Sequence, residues 1–455
     1  MSIMGSIWGK TTSFEEAFGA ADCSSTTMQR AIASWYDLYY DEEIRSDSNP
    51  CQRIPYAVVN KLTKTVFGEY TAASDDPFAQ GILTALDKTK KSAMQQALIG
   101  GECFLKPFPM GSGFSFTVIG RSNCLIFGRD IDGNPTDIGM FERTKTDKRY
   151  YTLLERRSLD DTGRLTIHNR LYQSDNADIL GTQVRLDTLS RYAPLQEVYT
   201  YPEPIGGLGL IRLHTPMENC VDGSNDSVSV YAAAAGLIRL INLNEAQING
   251  EFERGESRII TSADLLKEDG NGRRRIKDHV FVGLDDDIDN VGVTIFSPAF
   301  REQSFLARKT EYLRNVETLI GFKRGILSDV EAAERTATEV TSSAGDYNLT
   351  IIDFQQMWEQ AVKDAVLLCG RLGESYHVPG ARGLSEDDVT IDWGNGILYD
   401  EAKTWAEYVG MVSSGMLKPE IALAWRFNLP WETPADLQKI REKYMPELSA
   451  LAGDV

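Results

Sequence analysis

The sequence predicts an α+β fold, and three observations carry that reading. Both ends of the chain show helical periodicity, the stretch of about 102–215 alternates like strands between turns, and two long amphipathic segments flank a short β-like insert.

The elements follow in chain order. Residues 12–45 and 54–100 read as helical, with Ala57, Val58, Leu62 and Val66 at helical spacing and Gly100-Gly101 as a stop. Phe114, Phe116 and Val118 then alternate with small or polar residues. Leu165, Ile167 and Asn169 alternate with Arg164, Thr166, His168 and Arg170, and Tyr150–Leu154 favours a strand. Asp132-Gly133-Asn134-Pro135 and Asp161-Thr162-Gly163 read as turns between antiparallel strands.

Next, Val230, Ala234, Leu237, Ile241, Ile248 and Phe252 form one stripe with Glu245 as its polar member. From Val228 to Glu253 this predicts a helix of about 39 Å. Gly255 ends it, and strand-like runs follow at Arg258–Thr261, His279–Val282 and Val291–Phe296, with a turn at Asp269-Gly270-Asn271-Gly272. Ser297 as cap with Pro298 in the first turn predicts the next helix, which carries Leu306, Leu313, Val316 and Ile320 and stops at Gly321. Phe322–Arg335 reads as a loop. Thr336 and Glu339 fit a capping box that opens a helix running to Cys369, with Gly345 as a plausible kink. Three shorter helices are expected at Asp400–Val412, Lys418–Phe427 and Pro434–Tyr444.

The chain has 455 residues, 66 acidic against 47 basic, for a formal net charge of -19. That balance opposes a broad, tight grip on phosphate backbones while allowing DNA to slide past an acidic wall; it equally suits plain solubility. The six cysteines, Cys23, Cys51, Cys103, Cys124, Cys220 and Cys369, show no paired ligand spacing, so reduced thiols and the cytoplasm are expected. The first ten residues do not resemble a secretory signal, and the longest apolar run, Val230–Ile238, is too short to span a bilayer.

Catalytic and metal motifs fail on their spacing. Gly5-Ser6-Ile7-Trp8-Gly9-Lys10-Thr11 lacks one residue of a phosphate-binding loop and its preceding strand. Asp285-Asp286-Asp287-Ile288-Asp289-Asn290 places Asn290 and Phe296 where a calcium loop needs Gly and Glu, leaving a solvated acidic turn or an adventitious divalent site. His168, His214, His279 and His377 are scattered, and no catalytic residue, metal ligand set or cofactor is expected. Arg273, Arg274, Arg275 and Lys277 form the sharpest basic cluster; it reads either as a solvated loop tip or as a contact for DNA phosphate or an acidic partner.

The order of several segments resembles the portal proteins of tailed bacteriophages, most of all those of long-tailed phages of Gram-positive bacteria. Glu155-Arg156-Arg157 leading into Leu165–Tyr172 resembles the family's wing sheet. Thr215–Asn219 followed by Ser227–Tyr231 resembles the entry to its first stem helix, and Asn249–Gly255 ahead of Arg258-Ile259-Ile260 its stem-to-clip junction. Arg335-Thr336-Ala337-Thr338-Glu339-Val340 resembles the segment after its tunnel loop. The compact segment of about Ser257–Phe296 matches no clip residue by residue.

The resemblance implies a wing over 1–227, stem helices over 228–256 and 297–321 around a clip at 257–296, and a tunnel loop at 322–336. A kinked helix returning to the wing (337–397) and crown helices (398–455) would complete the chain. It implies a homo-oligomeric ring, commonly a dodecamer, at one capsid vertex of a virion assembled in the host cytoplasm. Double-stranded DNA would pass through its channel during packaging and ejection. The terminase large subunit, head-completion or adaptor proteins, and the major capsid and scaffolding proteins would be its partners, with no membrane. Lys323, Arg324, Gly325, Asp329, Glu331, Glu334 and Arg335 would line the bore on a mobile loop fixed at its end by the Thr336–Glu339 cap. The competing readings are a packaging NTPase or nuclease, or another capsid or tail structural protein.

Overall fold

The computed structural model describes residues 11–40, 50–254, 258–260, 266–268, 274–276, 294–296, 301–328, 337–394, 401–427, 429–431 and 433–445. The chain divides into two compact units, Met1–Lys64 with Ala72–Thr390, and Thr65–Thr71 with Ile391–Val455. Helices and antiparallel sheets coexist in the first unit, as the α+β expectation requires.

The expected helical stretches at the start are broken into α1 (Thr11–Phe18), α2 (Thr26–Tyr40), α3 (Ile54–Val66) and α4 (Pro77–Gly100), with the three-residue strand β1 (Thr71–Ala73) before α4. Each boundary has a local cause. Gly19 takes φ of 71° after α1. Before α4, the Asp76 carboxylate accepts from the amides of Phe78 and Ala79, both at 2.9 Å, and Pro77 needs no donor partner in the first turn. α4 stops at Gly101, whose φ is 86°; a Cβ there would lie 2.4 Å from the Ser227 carbonyl oxygen, so glycine is required for both conformation and space.

The strands β2 (Glu102–Met110), β3 (Gly113–Gly120) and β10 (Ile211–His214) form a sheet in the order β10-β2-β3, against which α4 packs. A second sheet has the order β4-β5-β6-β7-β8, from β4 (Cys124–Arg129), β5 (Pro135–Thr146), β6 (Arg149–Leu159), β7 (Leu165–Ser174) and β8 (Thr182–Val184), with β9 (Val198–Thr200) also paired to β7. Its register places Met140 opposite Glu155 and Glu155 opposite Asn169. The expected turns are present: the Asp130 carboxylate accepts from the Asp132 and Asn134 amides, and that of Asp160 from Thr162 and Arg164, with Gly133 and Gly163 at positive φ.

β6 is covered on both faces, which explains its unbroken run of buried residues from Tyr151 to Glu155. Leu154 packs with Phe14 and Phe18 of α1 and with Leu125, Phe141 and Leu180. Tyr151 and Leu153 pack with Leu171, Leu186 and Tyr192. Successive strand residues point to opposite faces, so two apolar clusters demand apolar residues at consecutive positions.

A helix of 39 residues, α7 (Ala337–Ser375), about 58 Å long, packs on α4 and β10. It passes through Gly345 without a break and extends beyond the expected end at Cys369. Ile351, Phe354, Trp358, Ala361, Val362, Ala365, Val366, Cys369 and Leu372 form its buried stripe. In the second unit, α8 (Glu401–Ser413), α9 (Pro419–Arg426) and α10 (Pro434–Tyr444) match the three expected C-terminal helices. The buried Glu420 carboxylate accepts from Arg441 Nε at 2.6 Å, tying α9 to α10.

One buried ionic cluster joins six segments of the first unit. Glu102 on β2 is 1% exposed and accepts from Arg129 on β4 and Arg212 on β10, both at 2.8 Å, with Arg121 Nε 3.6 Å away. Arg129 also donates to Asp226 at 2.7 Å, and Arg121 donates to the Cys124 carbonyl and Ser24 Oγ, each at 2.8 Å. Burial by itself would raise the Glu102 pKa, but attraction to Arg212, Arg129 and Arg121 outweighs it and holds the carboxyl down to about 2.

Glu102→Gln is expected to destabilise the first unit by about 3 kcal/mol at neutral pH, because it leaves arginines buried beside a neutral amide. A depressed carboxylate contributes stability above its usual pKa of 4.5, and that contribution disappears as pH falls through about 2. The deficit of the variant relative to the parent should therefore narrow over that window, as measured by denaturant titration at stepped pH. A gap independent of pH would show that the charge on Glu102 is not what stabilises the cluster.

Candidate functional site

The helix α5 (Ala235–Arg254) has 20 residues, about 30 Å, and begins seven residues later than the periodicity predicts. The reason lies in the preceding turns. The Ser229 hydroxyl and the Val230 amide both donate to the Leu98 carbonyl at 3.0 Å, and Thr215 Oγ1 donates to the Val228 carbonyl at 2.6 Å. Val230 and Ala234 of the predicted stripe are buried, but the Val230 amide is committed to the end of α4 and not to α5. Of the rest of that stripe, Ile241 and Ile248 are buried and Phe252 is exposed.

α6 (Glu302–Ile320) runs antiparallel to α5. Arg301 precedes it without a side-chain cap, and the expected cap at Ser297 and Pro298 lies outside the described residues. The seam between the helices is polar along much of its length. Asn244 Nδ2 donates to the Phe305 carbonyl at 3.1 Å and Asn244 Oδ1 accepts from Arg308 Nε at 2.8 Å; Arg308 also reaches Gln247. Lys309 Nζ pairs with Glu245 at 2.7 Å, which explains the polar member of the stripe, and Arg301 pairs with Glu251. The Arg308 guanidinium lies 5.4 Å from the centre of the Phe305 ring. Large apolar side chains face outward instead: Leu240 and Leu243 on α5 are 41% and 49% exposed, Leu306 and Leu319 on α6 46% and 43%. Leu306 therefore leaves the predicted inner face, while Leu313, Val316 and Ile320 keep to it.

α6 stops at Gly321, as predicted, in the left-handed region at φ 77°. A Cβ there would sit 2.5 Å from Thr350 Oγ1 of α7. The chain then folds back over the last turn of α6. Phe322 is buried, and Glu317, 0% exposed, receives four donors from the returning chain. The amides of Gly325, Leu327 and Ser328 reach Oε1 at 3.1, 2.5 and 2.9 Å, and the Ser328 hydroxyl reaches Oε2 at 2.8 Å. Gly325 has φ of 94°. The root of the expected mobile loop is thus hydrogen-bonded, and Ser328 within it is buried.

Of the loop residues singled out from sequence, Lys323 is half-buried and Arg324 exposed, and among the described residues neither forms an ion pair. Asp329, Glu331, Glu334, Arg335 and Thr336 lie outside the described residues; Glu339 falls in the backbone of α7. Glu317 was missed because a single acid near a helix end looks like a surface residue. The available signal was its place beside Leu313, Val316 and Ile320, on the apolar side.

Between α5 and α6 lie β11 (Arg258–Ile260), β12 (Leu266–Glu268), β13 (Arg274–Ile276) and β14 (Thr294–Phe296). β11 pairs with β14 and β12 with β13, both antiparallel. Arg274 and Arg275 stand in a strand opposite Glu268 and Lys267, not at a loop tip; Arg273 and Lys277 lie outside the described residues, as do His279–Val282 and Asp285–Asn290.

A cavity of about 440 Å³ is lined by Lys106, Arg143, Glu155 and the apolar side chains of β3, β5 and β6. Glu155 is already held by Lys106 and by Arg157 Nε at 2.7 Å. Among the described residues no cluster of His, Cys, Asp and Glu could hold a metal ion, and no helix is long and apolar enough to cross a membrane.

No protein-family model matches the chain, and no curated protein matches it. Among solved structures, the chain is similar to a chain of the neck of a native GTA particle computed with C12 symmetry, at 12% identity and a TM-score of 0.48, covering 94% of this chain and 99% of that one. It is also similar to a chain of the neck of an empty GTA particle computed with C6 symmetry, at 11% identity and a TM-score of 0.45, covering 88% and 94%.

Proposed function

We propose that this chain is the ring subunit of a DNA channel, the portal or head–tail connector of a tailed-phage-like particle, with a structural and not a catalytic task. The observation that carries the reading is the α5–α6 pair. Its two helices are held to each other by polar contacts through Asn244, Arg308 and Lys309, while Leu240, Leu243, Leu306 and Leu319 face outward. Such a pair has its apolar surface where neighbours would stand, and a closed ring covers that surface by repeating one heterologous contact. The short-strand insert between the helices and the sequence resemblance to portal proteins support the same reading. A net charge of -19 suits a bore past which DNA slides without being held.

In this reading the insert docks the terminase large subunit and later the head-completion or adaptor protein. The major capsid and scaffolding proteins surround the ring, commonly a dodecamer, and the loop after α6 meets the DNA. Lys323, Arg324 and Arg335 attract phosphate while Asp329, Glu331 and Glu334 repel it, which favours weak, reversible contact.

Electron microscopy of the purified protein should show closed rings with a central opening. Leu243→Glu should shift the protein from rings to free subunits without lowering the unfolding temperature by more than about 3 °C, since the residue is half exposed. Persistent monomers of the parent at micromolar concentration, in several salts, would overturn the ring. Neutralising Arg273, Arg274, Arg275 and Lys277 together should spare ring formation but lower the DNA packaged per head; packaging at the parental rate would leave that cluster a solvated surface.

A further inference from the structure

We propose that Glu317 is the positioning residue of the loop after α6. Its carboxylate fixes Gly321–Ser328 as a preformed turn, so that Lys323 and Arg324 are presented to a polyanion from a rigid base. The clamp itself is independent of the ring reading; only the identity of the polyanion as translocating DNA rests on it.

Glu317 is fully buried, and among the described residues no lysine or arginine pairs with it. A buried carboxylate without a cation is costly unless hydrogen-bond donors converge on it. Here they all come from one short return of chain. Three backbone amides and one hydroxyl, from Gly325, Leu327 and Ser328, close on its two oxygens. Gly321 and Gly325, at φ of 77° and 94°, give the backbone the two left-handed residues that such a return needs. Phe322 anchors the start by burial, and Gly321 lies too close to Thr350 of α7 to admit a side chain.

Between these anchors sit Lys323 and Arg324, flanked by constrained backbone on both sides. Ordering cations in advance lowers the entropy lost on each phosphate contact. It also confines motion of the described root, Gly321–Ser328.

Backbone hydrogen exchange in the intact purified protein tests this. Glu317→Ala removes every acceptor. Glu317→Gln keeps one carbonyl oxygen for the amides and turns its amide group toward Ser328. Exchange at Gly325, Leu327 and Ser328 should accelerate by about tenfold or more in the alanine variant and by a smaller factor in the glutamine variant. The control Thr318→Ala, on the exposed side of the same turn, should leave these amides unchanged. Unchanged exchange at the three amides in both variants overturns the clamp. So does equal acceleration throughout α6 and α7, which would mark general destabilisation; if the alanine variant fails to fold, the glutamine variant alone decides.

A second readout separates the clamp from the channel. Rings of Glu317→Gln should retain less DNA per head than the parent. Local acceleration with normal packaging keeps the clamp and removes the loop from contact with DNA. Failure of the parent to form rings overturns the channel reading while the exchange result stands.

Discussion

Glu102 stands at the start of β2 with three arginines around it and almost no water. Its partners come from the turn before β4, from β4 and from β10, and Arg129 carries the network on to Asp226, shortly before α5. An ion cluster of this kind tolerates little displacement, because each arginine that loses its carboxylate becomes an uncompensated buried charge. It therefore fixes where the two sheets meet and where the chain leaves toward α5. The positions of Val228 and Val230 against the end of α4, and hence the first residue of α5, follow from that exit.

The helix pair departs in part from the usual arrangement of a packed helix, although Ile241, Ile248, Val316 and Ile320 are buried in the ordinary way. Apolar residues normally face the neighbouring helix and polar residues the solvent. Here the shared seam carries amide, guanidinium and ammonium groups in mutual hydrogen bonds, and leucines remain outside. Polar seams specify register, since a shift of one turn would leave donors and acceptors unmatched. The outward leucines give association a driving force that the pair by itself does not use.

At the end of α6 the same economy of charge operates on a smaller scale. A carboxylate that would be destabilising in an apolar setting becomes the organising centre of a turn once amides converge on it. Glycine is needed at Gly321 and Gly325 because their φ angles are unfavourable for other residues, so the turn is encoded by two glycines and one acid spread over nine positions.

Local chemistry made much of the fold legible in the sequence. The antiparallel middle, the turns at Asp130–Asn134 and Asp160–Arg164, the stop at Gly321 and the three C-terminal helices follow from patterns within a few residues. The late start of α5 and the outward turn of Leu306 do not, because both depend on segments distant in the chain: Leu98 claims the amide of Val230, and α5 meets α6 through polar groups. The candidate site divides in the same way. Lys323, Arg324 and Gly325 were visible as a charged, glycine-bearing loop, whereas Glu317 acquired its meaning only when tertiary folding returned Gly325–Ser328 onto it. Sequence determined which residues could turn, alternate or carry charge; tertiary structure decided which charges were removed from water, because desolvation depends on neighbours that no local pattern specifies.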